Sequence, residues 1–533
     1  MEISTQFPST FFPKLPNNYD NVSDESVRRR RTSSVILPAI EFDPGAGMTL
    51  QRQIYSGYRK AILSGRLTPG LALPSTRLLA QELGVSRNTV MFAFEQLSAE
   101  GYVQCRQGGG TYVSISLPEH MTSAPRASRA TVQRESLSGR RVSKAAQSFL
   151  TARSSFVARG WGAFRISLPA LDQFPVELWS RLVSKHSRRI PRQLLGYCDP
   201  LGYRPLREAI ANYLRLARAA NCCADQVMIV SGSQQALHLI SRVLLNPGDR
   251  VAVEEPGYPG ACGAFLAASA SIAPVSVDEE GLRVRPDLSR HRGTRAVYVT
   301  PSHQYPLGMT MSLRRRIELL EWARRECAWI IEDDYDSEYR YVTRPIACLQ
   351  GMDGSARVIY VGTFSKVLFP SLRIGYMILP SDLLSAFSAA KEHADLFSPT
   401  LYQAVLTDFI KQGHFGRHLR RMRCLYQERV GFLKSALERE LGNEVAIAHA
   451  DSGMYLTALL TSQVDDVALA TKAAEQNIVF TPLSTCYRTS ARRSGLILGV
   501  GGADRRQIEA GVSRLGGIVR DLSKRIVPGF KLA

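Results

Sequence analysis

At 533 residues the chain is too long for one hydrophobic core, and roughly 100 to 200 residues per domain implies two to four folding units. Hydrophobic residues at 45% and charged residues at 21% are a globular composition, which excludes a chain that is disordered throughout. A formal net charge of +20 favours polyanionic partners such as nucleic acid, or ligands that carry phosphate.

Residues 1–46 are rich in Pro, Ser and Asn, carry the run Arg28 to Arg31 and show no sustained apolar period. They read as a disordered basic tail. The same stretch lacks a basic segment followed by an apolar one, and no part of the chain approaches the roughly 20 apolar residues of a membrane helix. The nine cysteines are dispersed, without Cys/His spacing that suits zinc. These features predict a soluble cytoplasmic protein with reduced thiols, no metal site and no membrane association.

Residues 47–115 change to short amphipathic helices. The first carries Leu50, Ile54, Tyr58 and Ile62 at i, i+4 spacing, with Gly65 as its stop. In "LPSTRLLAQELGVSRNTV", Ser75 caps a helix with Leu78, Leu79 and Leu83, "GVS" makes a three-residue turn, and Ser86 caps a second helix. Two short helices joined in this way make a helix-turn-helix. The glycine cluster in "YVQCRQGGGTYV" predicts a small hairpin, the wing. The second helix presents Ser86, Arg87, Asn88 and Thr89 in its first turn, where base edges and phosphates are met; Arg77 and Arg106 suit backbone contacts. Any one arginine here also reads as an ordinary surface charge. Together with "EGYV" and "GGGTYV", the pattern closely resembles the winged helix-turn-helix of GntR-type bacterial regulators, and this resemblance implies double-stranded operator DNA as a partner.

Residues 116–164 read as a flexible basic linker; eight basic side chains stand against two acidic ones between Ser114 and Gly160. In residues 165–525, apolar runs such as "VMIVSGS", "RAVYVTPSH", "AWIIEDDYD" and "RVIYVGTFSK" alternate with helical patterns. That alternation predicts an α/β domain of buried parallel strands, with polar loops at their carboxyl ends. Residues 526–533 form a tail.

Lys366 follows one such strand, and a lone lysine there is ordinarily a surface charge. Its companions suggest more. A phosphate-bearing aldehyde cofactor, pyridoxal 5'-phosphate, needs an amine for a Schiff base, donors for its phosphate, a carboxylate against its ring nitrogen and a ring against its face. Ser233 and Gln234 open a helix whose free amides favour phosphate, although the same turn reads as a plain N-cap. Thr363 and Ser365 add hydroxyls, and Arg373 adds a fixed cationic fork. Among Glu332, Asp333 and Asp334, a carboxylate can face the ring nitrogen, or the group can bind a divalent ion or cap a helix. Tyr335 is a partner for the ring hydroxyl, Tyr258 a stacking ring or simple packing, and Tyr197 a weaker phosphate contact across a dimer interface.

Together these residues resemble the aminotransferases of fold type I. The resemblance implies cofactor attachment at Lys366, a phosphate contact from Arg373, pairing of Asp333 with the pyridine nitrogen and of Tyr335 with the ring hydroxyl, stacking by Tyr258, and phosphate binding by Ser233, Gln234, Thr363 and Ser365. Two positions depart from that pattern. In "HQYPLG", Tyr305 replaces the asparagine of N-P-x-G, leaving His303 or Gln304 as substitutes. In "LILGV", Ile497 replaces the arginine that clamps a substrate α-carboxylate, with Arg492 and Arg493 nearby.

From about Gly47 onward the chain resembles the MocR/GabR regulators, carried by "EDDYDSEY" and "TPSHQYPLG". That resemblance implies a homodimeric, DNA-binding transcription regulator whose aminotransferase-like domain senses an amine effector or pyridoxal phosphate itself. The rival reading is an active aminotransferase with a fused DNA-binding domain. A third is a DNA-binding protein that has lost the cofactor.

Overall fold

The computed structural model describes residues 47–106, 110–116, 143, 162–341, 346–462, 464–490 and 492–526. The basic tail over 1–46, nearly all of the linker over 116–164, and residues 527–533 lie outside the described residues. The chain divides into two compact units, residues 1–139 and 140–533.

In the first unit, α1 (Leu50–Leu63) buries Ile54, Tyr58 and Ile62, while Leu50 is exposed. The predicted row fails at its end for a geometric reason. Each i+4 step advances about 40° around a helix, so the row winds off the buried face over three steps. Of the α2 (Thr76–Leu83) leucines, Leu79 is buried, Leu83 packs at the edge of the core, and Leu78 is exposed. Gly84 ends α2 at φ +64°, a left-handed turn that glycine adopts freely.

Ser86 then caps α3 (Arg87–Ala99), its hydroxyl accepting from the Thr89 amide at 3.1 Å. Losing such a cap costs about 1 kcal/mol. Ser86→Ala is therefore expected to speed amide exchange in the first turns of α3 about fivefold, measured by hydrogen–deuterium exchange on the full-length protein. The wing is an antiparallel pair, β1 (Val103–Arg106) and β2 (Gly110–Val113), in register from Val103↔Val113 to Arg106↔Gly110; residues 107–109, at its tip, lie outside the described residues.

The second unit is built on an eight-stranded mixed sheet. In chain order its strands are β3 (Val227–Val230), β4 (Arg250–Glu255), β5 (Ser271–Asp278), β6 (Gly281–Leu282), β7 (Thr294–Val299), β8 (Trp329–Asp334), β9 (Val358–Thr363) and β10 (Gly375–Ile378). They lie in the order β3-β10-β9-β8-β7-β4-β5-β6. From β9 to β5 the pairings are parallel, whereas β10 runs antiparallel to both its neighbours. Strands β3 and β9 are buried along their whole length because helices cover both faces. Residues of one strand alternate between the two covered faces. Val251, Ile331 and Val361 join the cluster under helices Ser233–Leu244 and Pro259–Ala267, and Ala252, Ile330 and Val358 join the one under helix Leu313–Glu326.

A second, antiparallel sheet follows, of β11 (Val445–Ile447), β12 (Tyr455–Leu460), β13 (Thr481–Pro482) and β14 (Gly495–Gly499), in the order β11-β12-β14-β13. Among the described residues no helix is long and apolar enough to cross a membrane.

Candidate cofactor site and DNA-reading face

The carboxyl ends of the parallel strands deliver polar side chains to one edge of the large sheet. β8 shows how. Its side chains alternate, so three successive carboxylates go to different places. Glu332 accepts from the Leu349 and Gln350 amides at 2.9 and 3.0 Å. Asp334 pairs with Arg218 at 2.8 Å and accepts from the Tyr360 hydroxyl at 2.6 Å. Asp333, between them, faces a cavity of about 500 Å³. Among the described residues these acids do not converge as a metal cluster.

Lys366 lies in the cavity wall, and its amine has no hydrogen-bond partner among the described residues. Desolvation pulls the amine down to about 8, against the opposing fields of Asp336 and Asp333. Asp333 Oδ2 accepts from the Tyr298 hydroxyl at 2.7 Å, while its buried Oδ1 has no partner. Desolvation pushes this acid up to about 7.

Ser233 and Gln234 open the helix Ser233–Leu244 at the cavity after Gly232, which sits at φ +102°. A β-carbon on Gly232 would lie 3.3 Å from an Arg373 guanidinium nitrogen, so that cation stands directly against the helix start. Thr363 Oγ1 accepts from the Ser365 amide at 3.2 Å, and the Ser365 hydroxyl is buried without a partner. The Tyr258 ring lies over Gly260, where a β-carbon would come within 2.4 Å of it. Gly260 is thus what lets that ring reach the cavity.

The structure brings nine of the predicted residues to this cavity: Ser233, Gln234, Tyr258, Asp333, Tyr335, Thr363, Ser365, Lys366 and Arg373. Tyr197 is 89% exposed, meets Phe397 edge-on and does not line it. The substitutes expected for the missing asparagine do not line it either. Gln304 is spent on the Pro256 and Tyr305 carbonyls and the Leu307 amide, and His303 turns to Asp336, with Nδ1 at 3.0 Å from both carboxylate oxygens. Tyr305 lines the cavity itself, its hydroxyl buried and without a hydrogen-bond partner. Ile497 is fully buried, and Arg492 and Arg493 are exposed away from the cavity.

Sequence reasoning missed Tyr298, Asp336 and Tyr455. Tyr298 lies in a strand end buried on both faces, where an apolar run gives no phase to single it out. Asp336 and Tyr455 carried no local signal. The Tyr335 hydroxyl donates to the His303 carbonyl at 2.9 Å and lies 2.9 Å from the Tyr455 hydroxyl.

On the first unit, α3 buries Val90, Ala93, Phe94 and Leu97 and turns Asn88, Met91, Phe92 and Glu95 outward. Phe92 is 57% exposed, a large apolar ring on the face opposite the core. Thr89 is half-buried and Ser86 exposed, their hydroxyls 2.8 Å apart at the helix cap. Arg77, Arg87 and Asn88 are exposed; Arg87 donates to Thr76 at 3.4 Å. The Arg106 guanidinium lies 4.9 Å from the centre of the Tyr112 ring.

Comparison with known proteins gives a separate family match in each of the two units. Residues 171–505 match the aminotransferase class I and II family, and residues 50–113 match the gntR family of bacterial regulatory proteins. The chain is 40% identical over 473 residues to a probable rhizopine catabolism regulatory protein, MocR, of Rhizobium meliloti, covering 89% of this chain and 94% of that one. It is 28% identical over 467 residues to the HTH-type pyridoxine biosynthesis transcriptional regulator PdxR of Corynebacterium glutamicum, covering 87% and 95%. Among solved structures, the α-aminoadipate aminotransferase LysN of Thermus thermophilus, complexed with N-(5'-phosphopyridoxyl)-L-leucine, superposes with a TM-score of 0.64 at 30% identity, over 73% of this chain and 97% of that one.

Proposed function

The chain belongs to the GntR regulators that carry an aminotransferase class I and II domain, and from that membership we propose that its cavity holds pyridoxal phosphate on Lys366 and reports an amine effector, or the cofactor itself, to the DNA-binding unit. It is a helix-turn-helix transcription regulator, and its aminotransferase fold implies dependence on pyridoxal phosphate. One observation carries the cofactor reading. Buried or enclosed polar groups without protein partners, Asp333 Oδ1, the Ser365 hydroxyl and the Lys366 amine, converge on one cavity beside Arg373. Orphaned polar groups are costly, so such a cluster suits a ligand that completes it.

Bound there, the cofactor supplies an aldehyde that exchanges amines and a ring that draws electrons from them. Lys366 provides the attaching amine. Asp333 Oδ1 holds the proton on the ring nitrogen, Tyr258 covers the ring and Tyr335 faces its hydroxyl. The amides at Ser233 and Gln234, the hydroxyls of Thr363 and Ser365, and Arg373 take the phosphate. Tyr197, exposed on the surface, reaches the phosphate of a partner subunit in a homodimer. On α3, Arg87 and Asn88 meet base edges, while Arg77 and Arg106 meet phosphates. An effector binds the two states of the larger unit unequally and so shifts the DNA-binding equilibrium. The protein acts in the cytoplasm.

The test is binding of the full-length protein to DNA from upstream of its own gene, with and without pyridoxal phosphate and a panel of amines. Affinity is expected to change by about 5- to 150-fold on adding one of them, the ordinary range of allosteric coupling. No change with any of them, or steady transamination between an amino acid and a keto acid, would overturn the sensor reading, the latter in favour of a working aminotransferase.

A further inference from the structure

Resting on the reading of this cavity as an amine site, we infer that its effector is a primary amine without a carboxylate, selected by a wall that offers no cation and by the buried acid Asp336. Ile497, where a clamping arginine would stand, is sealed in an apolar cluster behind Ile166, Tyr305 and Tyr455, all three of which line the cavity. An anion brought against this wall loses water and meets the Tyr305 hydroxyl but no cation of the wall itself, which is unfavourable.

Asp336 adds a second, active term. It lines the cavity and is itself only 2% exposed. His303 holds it by contacting both its oxygens, and the imidazole is fixed in turn between Gly453 and the Tyr455 ring. A β-carbon on Gly453 would fall 1.9 Å from the His303 ring, so the glycine is required for this placement. Asp336 is also the strongest influence favouring the charged form of the Lys366 amine. A carboxylate fixed in the wall of the same cavity attracts an ammonium group and repels a second carboxylate. Arg373 is committed to the cofactor phosphate, and Lys366 to the cofactor until an entering amine exchanges with it. Arg165 also borders the cavity, on the segment before β3, and the test includes it.

The experiment uses the full-length protein loaded with pyridoxal phosphate and matched pairs that differ only by a carboxylate: isobutylamine against valine, phenethylamine against phenylalanine, ethanolamine against serine. Binding is read by calorimetry and by the change in cofactor absorbance. In at least one pair the amine is expected to bind about tenfold tighter or more than its amino acid, and the gap should narrow in Asp336→Asn. Amino acids binding as tightly as the amines would overturn the inference and leave the amine-site reading standing. If that binding disappeared in Arg165→Ala, the clamp would lie at Arg165, again against the inference. If neither member of any pair perturbed a fully loaded protein, the amine-site reading itself would fall.

Discussion

Replacing Lys366 by alanine removes the cofactor chromophore that borohydride can fix to the protein, and with it any response of DNA binding to pyridoxal phosphate. The loss is expected to be complete for covalent attachment, because among the described residues Lys366 is the only amine in the cavity wall. Weak reversible binding through the phosphate end should survive, since Arg373, Thr363 and the helix start at Ser233 are untouched. An absorbance scan before and after borohydride reads both. The pH dependence has a defined sign. Desolvation lowers the Lys366 amine to about 8, so attachment, which needs the free amine, rises through that pH rather than near the ordinary 10.5. Substituting Asp336 by asparagine removes the largest opposing influence and should move the midpoint lower still. In the cofactor-free protein the unfolded chain keeps this proton to higher pH than the folded one. Stability from this group therefore increases as pH rises from about 8 towards 10.5. A midpoint near 10.5 would show that the amine is solvated.

The second large effect is structural. Arg218→Met is expected to destabilise the larger unit by about 3–5 kcal/mol, because it strands Asp334 in the interior. Both side chains are at most 4% exposed. The guanidinium donates not only to Asp334 but also to the Ser302 hydroxyl and the Ile346 carbonyl. It thereby ties the helix Arg204–Arg218 to the end of β8 and to the loop that carries His303. The double variant Arg218→Met, Asp334→Leu removes both charges and should recover much of the loss. Denaturant unfolding, followed by tyrosine fluorescence and circular dichroism, compares the three proteins. Equal loss in the single and double variants would mean that packing, not the stranded charge, sets the cost.

The same β8 shows a limit to what can be read from sequence. Asp333 was assigned among its two acidic neighbours only by the resemblance to aminotransferases, because β8 is buried on both faces and the apolar run "AWII" carries no alternation to set the phase. Helix caps, by contrast, were legible at Ser75 and Ser86: one short side chain satisfies an amide three residues on, a purely local event. Where the partner is distant in sequence, that logic stops. His303 meets Asp336 across 33 residues, and Tyr335 meets Tyr455 across 120. Nothing near His303 announces that its imidazole turns away from the position an asparagine would serve. The exposure of Leu50 and Leu78 shows a smaller limit, since a spacing rule marks a stripe without saying where neighbouring helices stop covering it.

Strand β10 has one further consequence, for the order in which the site is assembled. Because it runs against β9, the chain leaves the cavity edge after Lys366 and comes back to that edge at Arg373, only seven residues later. A parallel return would have needed a crossover of a dozen residues or more. The lysine and the arginine are therefore joined by a short loop whose closure costs little entropy. This half of the site can form with the β9–β10 pair, ahead of the contacts from β3, β4 and β8, the farthest of which, at Ser233, lies 133 residues before Lys366. An insertion within residues 367–372 would part the two cations without touching either, and should weaken the phosphate end of the site while leaving the amine in place.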